Sequence, residues 1–245
     1  MLEAHIVKAR KEFTVDVRLR LRQGERLALF GASGAGKSTI LSCLAGFETP
    51  DVGEIRLGDL SLFPPSLALH QRPLAYLTQQ DFLFPHLSVA ENICFGISDY
   101  HRNGSRSWVL ELRDRLRLGS LWHESSRRIS GGQARRVALA RMLARRPPLV
   151  LLDEPFIALD RPTTNELIDA LLEWQGTLNF ILIAVDHRVD VLSRLCSQAA
   201  VIEKGQVVQH DSWDQLKARP ATALTARLLG ATEVRSEQSH PPFFD

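Results

Sequence analysis

The sequence predicts an α/β protein with a mostly parallel core sheet, an antiparallel β layer and an inserted helical subdomain. Three patterns carry that expectation. Residues 13–22, FTVDVRLRLR, alternate apolar and polar side chains without a break, as a strand with one buried face does. Short apolar runs at Arg26–Phe30, Leu149–Leu152 and Phe180–Val185 are separated by helical stretches, the pattern of a sheet covered by helices. Between the first run and the later two, residues from Ser88 to about Arg146 read as helical.

Taken in order, Phe13, Val15, Val17, Leu19 and Leu21 share one side of the first strand. This parity turns Phe13, the one aromatic residue before Phe30, toward the core. Gln23-Gly24-Glu25 turns the chain into Arg26–Phe30, a glycine-rich loop follows, and a helix runs from about Lys37 to Gly46. Pro50, Gly53, Pro64, Pro65 and Pro73 cut residues 50–80 into loops and short strands. The helical stretch after Ser88 is expected to break at Asn103-Gly104 and around Ser125–Gly132, with a helix over Gln133–Arg145. Arg161–Gln175 reads as a helix, and Ala199–Ile202 with Gln206–Gln209 as a hairpin about Lys204-Gly205. Residues 1–230 are expected to form one domain with its helical insert at about 82–146, and 231–245 a short flexible tail.

Composition excludes several classes. With 44 % hydrophobic and 24 % charged residues, the chain is neither a disordered nor a fibrous sequence. Its longest apolar run, Phe180–Val185, is far short of the ~18 residues that span a bilayer. The start MLEAHIVKAR lacks a signal-peptide core, which predicts a chain that stays in the cytosol. Cys43, Cys94 and Cys196 form no C-x-x-C pair and read as isolated thiols. Twelve arginines lie between Arg102 and Arg146, against Glu111, Asp114 and Glu124. That stretch is either a solvated helical surface or a face for phosphates or lipid headgroups; without interleaved aromatics, nucleic acid is not expected as a partner.

Gly31-Ala32-Ser33-Gly34-Ala35-Gly36-Lys37-Ser38-Thr39 fits G-x-x-x-x-G-K-[ST] after a buried strand and before a helix. Glycines let successive amides turn inward onto phosphate oxygens, and the helix start adds about half a positive charge. Lys37 is expected to reach the β- and γ-phosphates and the Ser38 hydroxyl to ligate Mg²⁺. Such a loop makes the fold a P-loop NTPase. Leu149–Leu152 delivers Asp153 and Glu154 at its C-terminal end, where parallel sheets bind ligands. Asp153 is the natural Mg²⁺ partner and Glu154 the candidate general base for water. Ser130-Gly131-Gly132-Gln133 places an N-cap and bare backbone at a helix start, a second anion site or a plain capped helix.

The ordered set GASGAGKST, Gln79, ISGGQ, LVLLDE, Ala158-Leu159-Asp160 and His187 resembles the nucleotide-binding subunit of ABC transporters, from about residue 2 to 220. The resemblance implies a dimer sandwiching two ATP, each between one chain's phosphate loop and the other chain's Ser130, Gly131, Gly132 and Gln133. It implies that Gln79 touches Mg²⁺ or the lytic water, that Asp160 crosses the dimer interface and that His187 contacts the γ-phosphate. In the family a Thr precedes this histidine and an Asp follows it, whereas Asp186 and Arg188 stand here. The adenine platform would fall to Phe13.

Gln79–Gly96, QQDFLFPHLSVAENICFG, resembles the importer pattern, with Phe82, Leu83, Phe84 and Leu87 lining a groove for a helix of a membrane permease. This implies a peripheral subunit on the cytoplasmic face of the inner membrane, acting indirectly with a solute-binding protein. The alternatives are a soluble ABC ATPase acting on ribosomes or DNA, and a P-loop kinase or GTPase that would leave ISGGQ unexplained. GAGKSTILSCLAGFETP, DEPFIALD and TARLLG are most similar to thiamine-type subunits, with iron(III), molybdate and polyamine as the other candidate solutes.

Overall fold

The computed structural model describes residues 1–97, 103–157 and 159–230. Ala158 of the ALD motif and the tail expected at 231–245 lie outside the described residues. The chain divides into two compact units, Met1–Arg72 with Ile181–Asp245, and Pro73–Phe180.

The first unit begins with β1 (Leu2–Ala9), β2 (Thr14–Leu21), β3 (Arg26–Phe30), α1 (Lys37–Ala45), β4 (Val52–Leu57) and β5 (Leu60–Phe63). The second unit holds β6 (Leu74–Leu77), α2 (Val89–Cys94), α3 (Asn103–Arg115), α4 (Gly131–Ala144), β7 (Leu149–Asp153) and α5 (Arg161–Leu178). The first unit resumes with β8 (Ile181–Val185), α6 (Val189–Leu195), β9 (Gln198–Glu203), β10 (Gln206–Ser212), α7 (Trp213–Ala218) and α8 (Ala223–Leu229).

In the first unit, β2, β1, β4 and β5 lie side by side in that order as an antiparallel layer. Sequence patterning missed β1, whose buried face is only Leu2, Ala4 and Ile6. These residues gain their meaning across the ladder, where Leu2 faces Leu21 and Leu57, and Ile6 faces Val17. β2 buries Val15, Val17, Leu19 and Leu21 as the alternation requires. Phe13 departs from the expectation of a core residue: it precedes the first paired residue, Thr14, so the parity does not reach it, and it is half-buried.

β3 pairs in parallel with both β8 and β9, and β10 closes that side antiparallel to β9. Every residue of β8, and of β3 beyond Arg26, is buried. Truncating one of their larger apolar side chains to alanine costs ~2–5 kcal/mol, so the strand that leads into the phosphate loop is fixed firmly. The other end of α1 is held as well. Arg72, buried in this unit, donates to the carbonyl oxygens of Leu44 at 2.9 Å and Leu62 at 3.0 Å. A cation here satisfies carbonyls that a helix end leaves open and opposes its dipole.

In the second unit β6 and β7 pair in parallel, Leu74 with Leu149 through Leu77 with Leu152. α3 begins at Asn103, so Asn103-Gly104 opens a helix where a break was expected. α4 starts at Gly131, ahead of the expected Gln133, because Ser130 and Gln133 close a capping box. α5 runs on to Leu178, where Asn179 takes the left-handed conformation at φ 54° and ends it.

Several of the arginines at 102–146 are engaged with the protein itself. Arg115 pairs with Glu173 at 2.6 Å, Arg117 with Glu166 at 3.0 Å, and Arg113 with Asp114 at 2.7 Å. Arg146 sits 5.3 Å above the Trp108 ring. Arg135 is 1 % exposed, so the reading of this stretch as a solvated surface fails at that residue, while Arg106, Arg117, Arg127 and Arg128 are exposed as it expects.

Candidate nucleotide site

Both ends of the phosphate loop are built from backbone. Gly31 has φ 146°, and a Cβ there would stand 2.2 Å from the carbonyl oxygen of Ile202 on β9. Only glycine lets the strand leave the sheet at that point. Gly34 turns at φ 77° with nothing within 4 Å of a Cβ, so its need is conformational. Gly36 is the N-cap of α1 at φ 107°, and no side chain caps the helix. The first turn therefore presents bare amides, the arrangement that suits an anion.

Lys37 folds back over this loop, donating from Nζ to the carbonyl oxygens of Gly31 at 2.8 Å and Ala32 at 2.7 Å. Ser38 is exposed, and the Thr39 hydroxyl accepts from Arg10 Nη2 at 2.8 Å while Arg10 pairs with Glu48. The 204–205 turn was read only as a hairpin tip, yet it supports the loop. The Gly205 amide donates to Ala35 at 2.9 Å, and the Gly205 carbonyl accepts from Asp16 at 2.8 Å. Phe13 lies against the same place: a Cβ on Gly36 would come 3.3 Å from its Cε2. Its ring thus sits beside the loop and not within the core.

His187 follows β8 and is 69 % exposed, with Nδ1 3.5 Å from Asp186 Oδ1. Asp186 is buried and accepts from the Arg188 amide at 2.9 Å and from Arg188 Nε at 3.3 Å. Its carboxylate is held by Arg188 more closely than by the imidazole.

In the second unit Asp153 ends β7 at 6 % exposure and accepts from the Tyr76 hydroxyl at 3.2 Å. Glu154 follows at φ 47°, a left-handed backbone that a non-glycine side chain adopts at a cost of ~1–3 kcal/mol. Arg135 holds the turn. It donates to the carbonyl oxygens of Pro155 at 2.6 Å, Glu154 at 2.8 Å and Thr78 at 2.7 Å, and to the Asp81 carboxylate at 2.9 Å. Gln79 is exposed just past β6. Nothing in the spacing of ISGGQ or in the patterning of α4 flagged Arg135.

The Ser130 amide donates to Gln133 Oε1 at 2.8 Å, and Ser130 Oγ accepts from the Gln133 amide at 3.3 Å. A Cβ on Gly131 would meet nothing within 4 Å, whereas one on Gly132 would stand 3.2 Å from Leu159. The helix start is thus open at Gly131 and closed at Gly132. Asp160 caps α5, Oδ1 accepting from the Thr163 amide at 2.7 Å, and that hydrogen bond holds its carboxyl below the ordinary range.

A family model described as "ABC transporter" matches residues 14–157. The chain is 38 % identical over 243 residues to the Fe(3+) ions import ATP-binding protein FbpC of Yersinia pestis bv. Antiqua (strain Antiqua), covering 96 % of this chain and 68 % of the relative. The chain belongs to the ABC transporter family. The Putrescine transport ATP-binding protein PotG of Escherichia coli (strain K12) is 36 % identical over 223 residues, 89 % of this chain and 58 % of its own length. The fold matches MJ0796, described as the dimeric structure of a bacterial ABC transporter cassette, at TM-score 0.74 and 25 % identity over 86 % of this chain and 98 % of that one. This ABC ATPase thus has the P-loop fold expected of it, and ATP is its nucleotide. Among the described residues, no helix of this ABC protein is long and apolar enough to cross a membrane.

Proposed function

We propose that the chain is the ATP-hydrolysing subunit of an importer, working as a dimer on the cytoplasmic face of the inner membrane beneath separate permease subunits. The observation that carries this reading is a pair of helix starts: α1, whose N-cap Gly36 offers no side-chain cap, and α4, capped by Ser130 and Gln133 but sterically open at Gly131. Two helix starts of different build in one chain suit a composite site, one half supplied by each of two copies. The import ATP-binding names of the relatives support the direction of transport.

The loop amides and Lys37 bind the phosphates, and the Gly131 face of a second copy covers the γ-phosphate. Gln79, Ser38 and Asp153 offer amide, hydroxyl and carboxylate oxygens, a hard donor set that fits Mg²⁺. When bound, Mg²⁺ neutralises charge on the β- and γ-phosphates. Glu154 takes the proton of the attacking water, His187 donates toward the γ-phosphate, and Phe13 stacks on the base beside Gly36. Asp160 reaches the second copy while capping its own helix. Phe82, 65 % exposed, and its neighbours receive the permease helix, and a solute-binding protein acts through the permease. Iron(III) is the first solute to test, with putrescine next, following the relatives' names. Thiamine rests on motif likeness alone.

Glu154→Gln tests the reading. Turnover is expected to fall by about a thousandfold while ATP binding persists and an ATP-dependent dimer accumulates on size exclusion. A turning-over Glu154→Gln chain would refute the assignment of the base.

A further inference from the structure

Two residues of the second unit hold non-glycine side chains in left-handed backbone near the proposed chemistry, Glu154 at φ 47° and Phe82 at φ 42°. Each has its carbonyl oxygen held by an arginine of the same helix, α4. Arg135 donates to Glu154 at 2.8 Å, and Arg141 donates to Phe82 at 2.9 Å and to Asp81 at 2.8 Å. Arg135 also reaches across to the segment that carries Gln79, meeting the Thr78 carbonyl at 2.7 Å and the Asp81 carboxylate at 2.9 Å.

A guanidinium has five N–H donors in a fixed plane. Those of Arg135 meet four carbonyl oxygens, of Thr78, Asp153, Glu154 and Pro155, and one carboxylate, of Asp81. Its side chain is 2 % exposed. A buried cation with so full a set of acceptors on two chain segments fixes their relative position, because moving either leaves a charged group short of partners. From this we infer that Arg135 is a positioning residue for ATP hydrolysis: it holds the Glu154 turn in its left-handed form and ties that turn to the 78–81 segment. Arg135 touches no reacting atom in this arrangement and acts through Glu154. The inference rests on the reading of Glu154 as the base.

The test uses the purified full chain and measures steady-state MgATP turnover, binding of a fluorescent ATP analogue and the ATP-dependent dimer. In Arg135→Gln, kcat is expected to fall about tenfold or more, since small misplacements of a catalytic group are costly, with KM for ATP within about threefold of the parent. In the Glu154→Gln background, Arg135→Gln should leave the ATP-dependent dimer intact. If Arg135→Gln does not fold, Arg135→Lys keeps the charge with fewer donors, and the same kcat loss at unchanged KM is expected. Wild-type kcat in a folded Arg135 variant, a matching rise in KM, or loss of the dimer in the double variant would overturn the inference. Turnover in Glu154→Gln alone would remove the base and the inference together. An inactive Glu154→Gln beside a fully active Arg135→Gln removes only the inference.

Discussion

Lys37 Nζ stands 2.8 Å from the carbonyl oxygen of Gly31, at the start of the loop it is meant to serve. The ammonium is thus held by carbonyl oxygens of its own loop. In the proposed function, nucleotide binding is expected to exchange these carbonyls for phosphate oxygens, a stronger charge-assisted partner.

Lys37→Ala should therefore abolish ATP binding while changing folding stability by only ~1–2 kcal/mol, the worth of two partly exposed hydrogen bonds. A fluorescent-nucleotide titration beside a urea melt separates the two effects. Near-native affinity in Lys37→Ala would contradict the phosphate-loop assignment.

Gly31→Ala and Gly34→Ala should differ in stability. Alanine at 31 drives a methyl to 2.2 Å from the Ile202 carbonyl oxygen, whereas at 34 it meets nothing within 4 Å. The first should cost at least ~2 kcal/mol and the second ~1 kcal/mol, the price of the left-handed backbone alone. Equal melting temperatures for the two variants would show that the close approach to β9 carries no weight.

Ser130→Arg should leave ATP binding by the isolated chain intact and block hydrolysis, because the bulk lands on the helix start that the proposed dimer turns toward the second copy. Ser130→Ala removes one half of the capping box and should cost ~1 kcal/mol. Normal turnover in Ser130→Arg would eliminate the composite site.

His210 on β10 gives the fold a pH dependence of predictable sign. Burial pulls its imidazole below the ordinary value of 6.5, although Asp211 and Glu25 oppose this. The unfolded chain therefore takes up a proton near pH 6.5 that the folded chain refuses. Its contribution is complete above that pH and is lost as pH falls through 6.5 toward the lowered folded value. Melting temperatures compared between about pH 7.5 and about pH 5.5 should fall more in the parent than in His210→Gln. Parallel curves would assign the slope to other groups.

Thiol reactivity should follow burial. Desolvation raises the Cys43 thiol to about 11 and pushes the Cys196 thiol up still further, whereas Cys94 is half-buried. Maleimide at neutral pH should modify Cys94 first in the folded chain. Mass spectrometry of the labelled peptides reads the order, and early labelling of Cys196 would show that the end of α6 opens.

Much of this was legible because backbone chemistry writes itself into residue type. A left-handed N-cap at Gly36 and a strand exit at Gly31 demand glycine, and the buried strand ending at Asp153 demands an apolar run. The strand β1 was not legible, since Leu2, Ala4 and Ile6 acquire a face only from β2 and β4 across the ladder. Phe13 was misplaced by extending a two-residue period one position beyond the paired strand. Arg135 was lost in a basic stretch because charge is counted along the sequence, whereas a guanidinium is judged by the carbonyls that surround it. Those carbonyls, at 78 and 153–155, are distant in the chain.

The contrast between the two ends of α1 has a mechanical meaning. Its first turn is left bare at Gly36, and its last carbonyls are gripped by Arg72. A nine-residue helix would unravel easily in water without neighbours. Clamped at the rear, it should answer a tug at its front as a solid piece, so that the pull of a polyphosphate arriving at the proposed site would reach the strands behind instead of dissipating in a fraying coil.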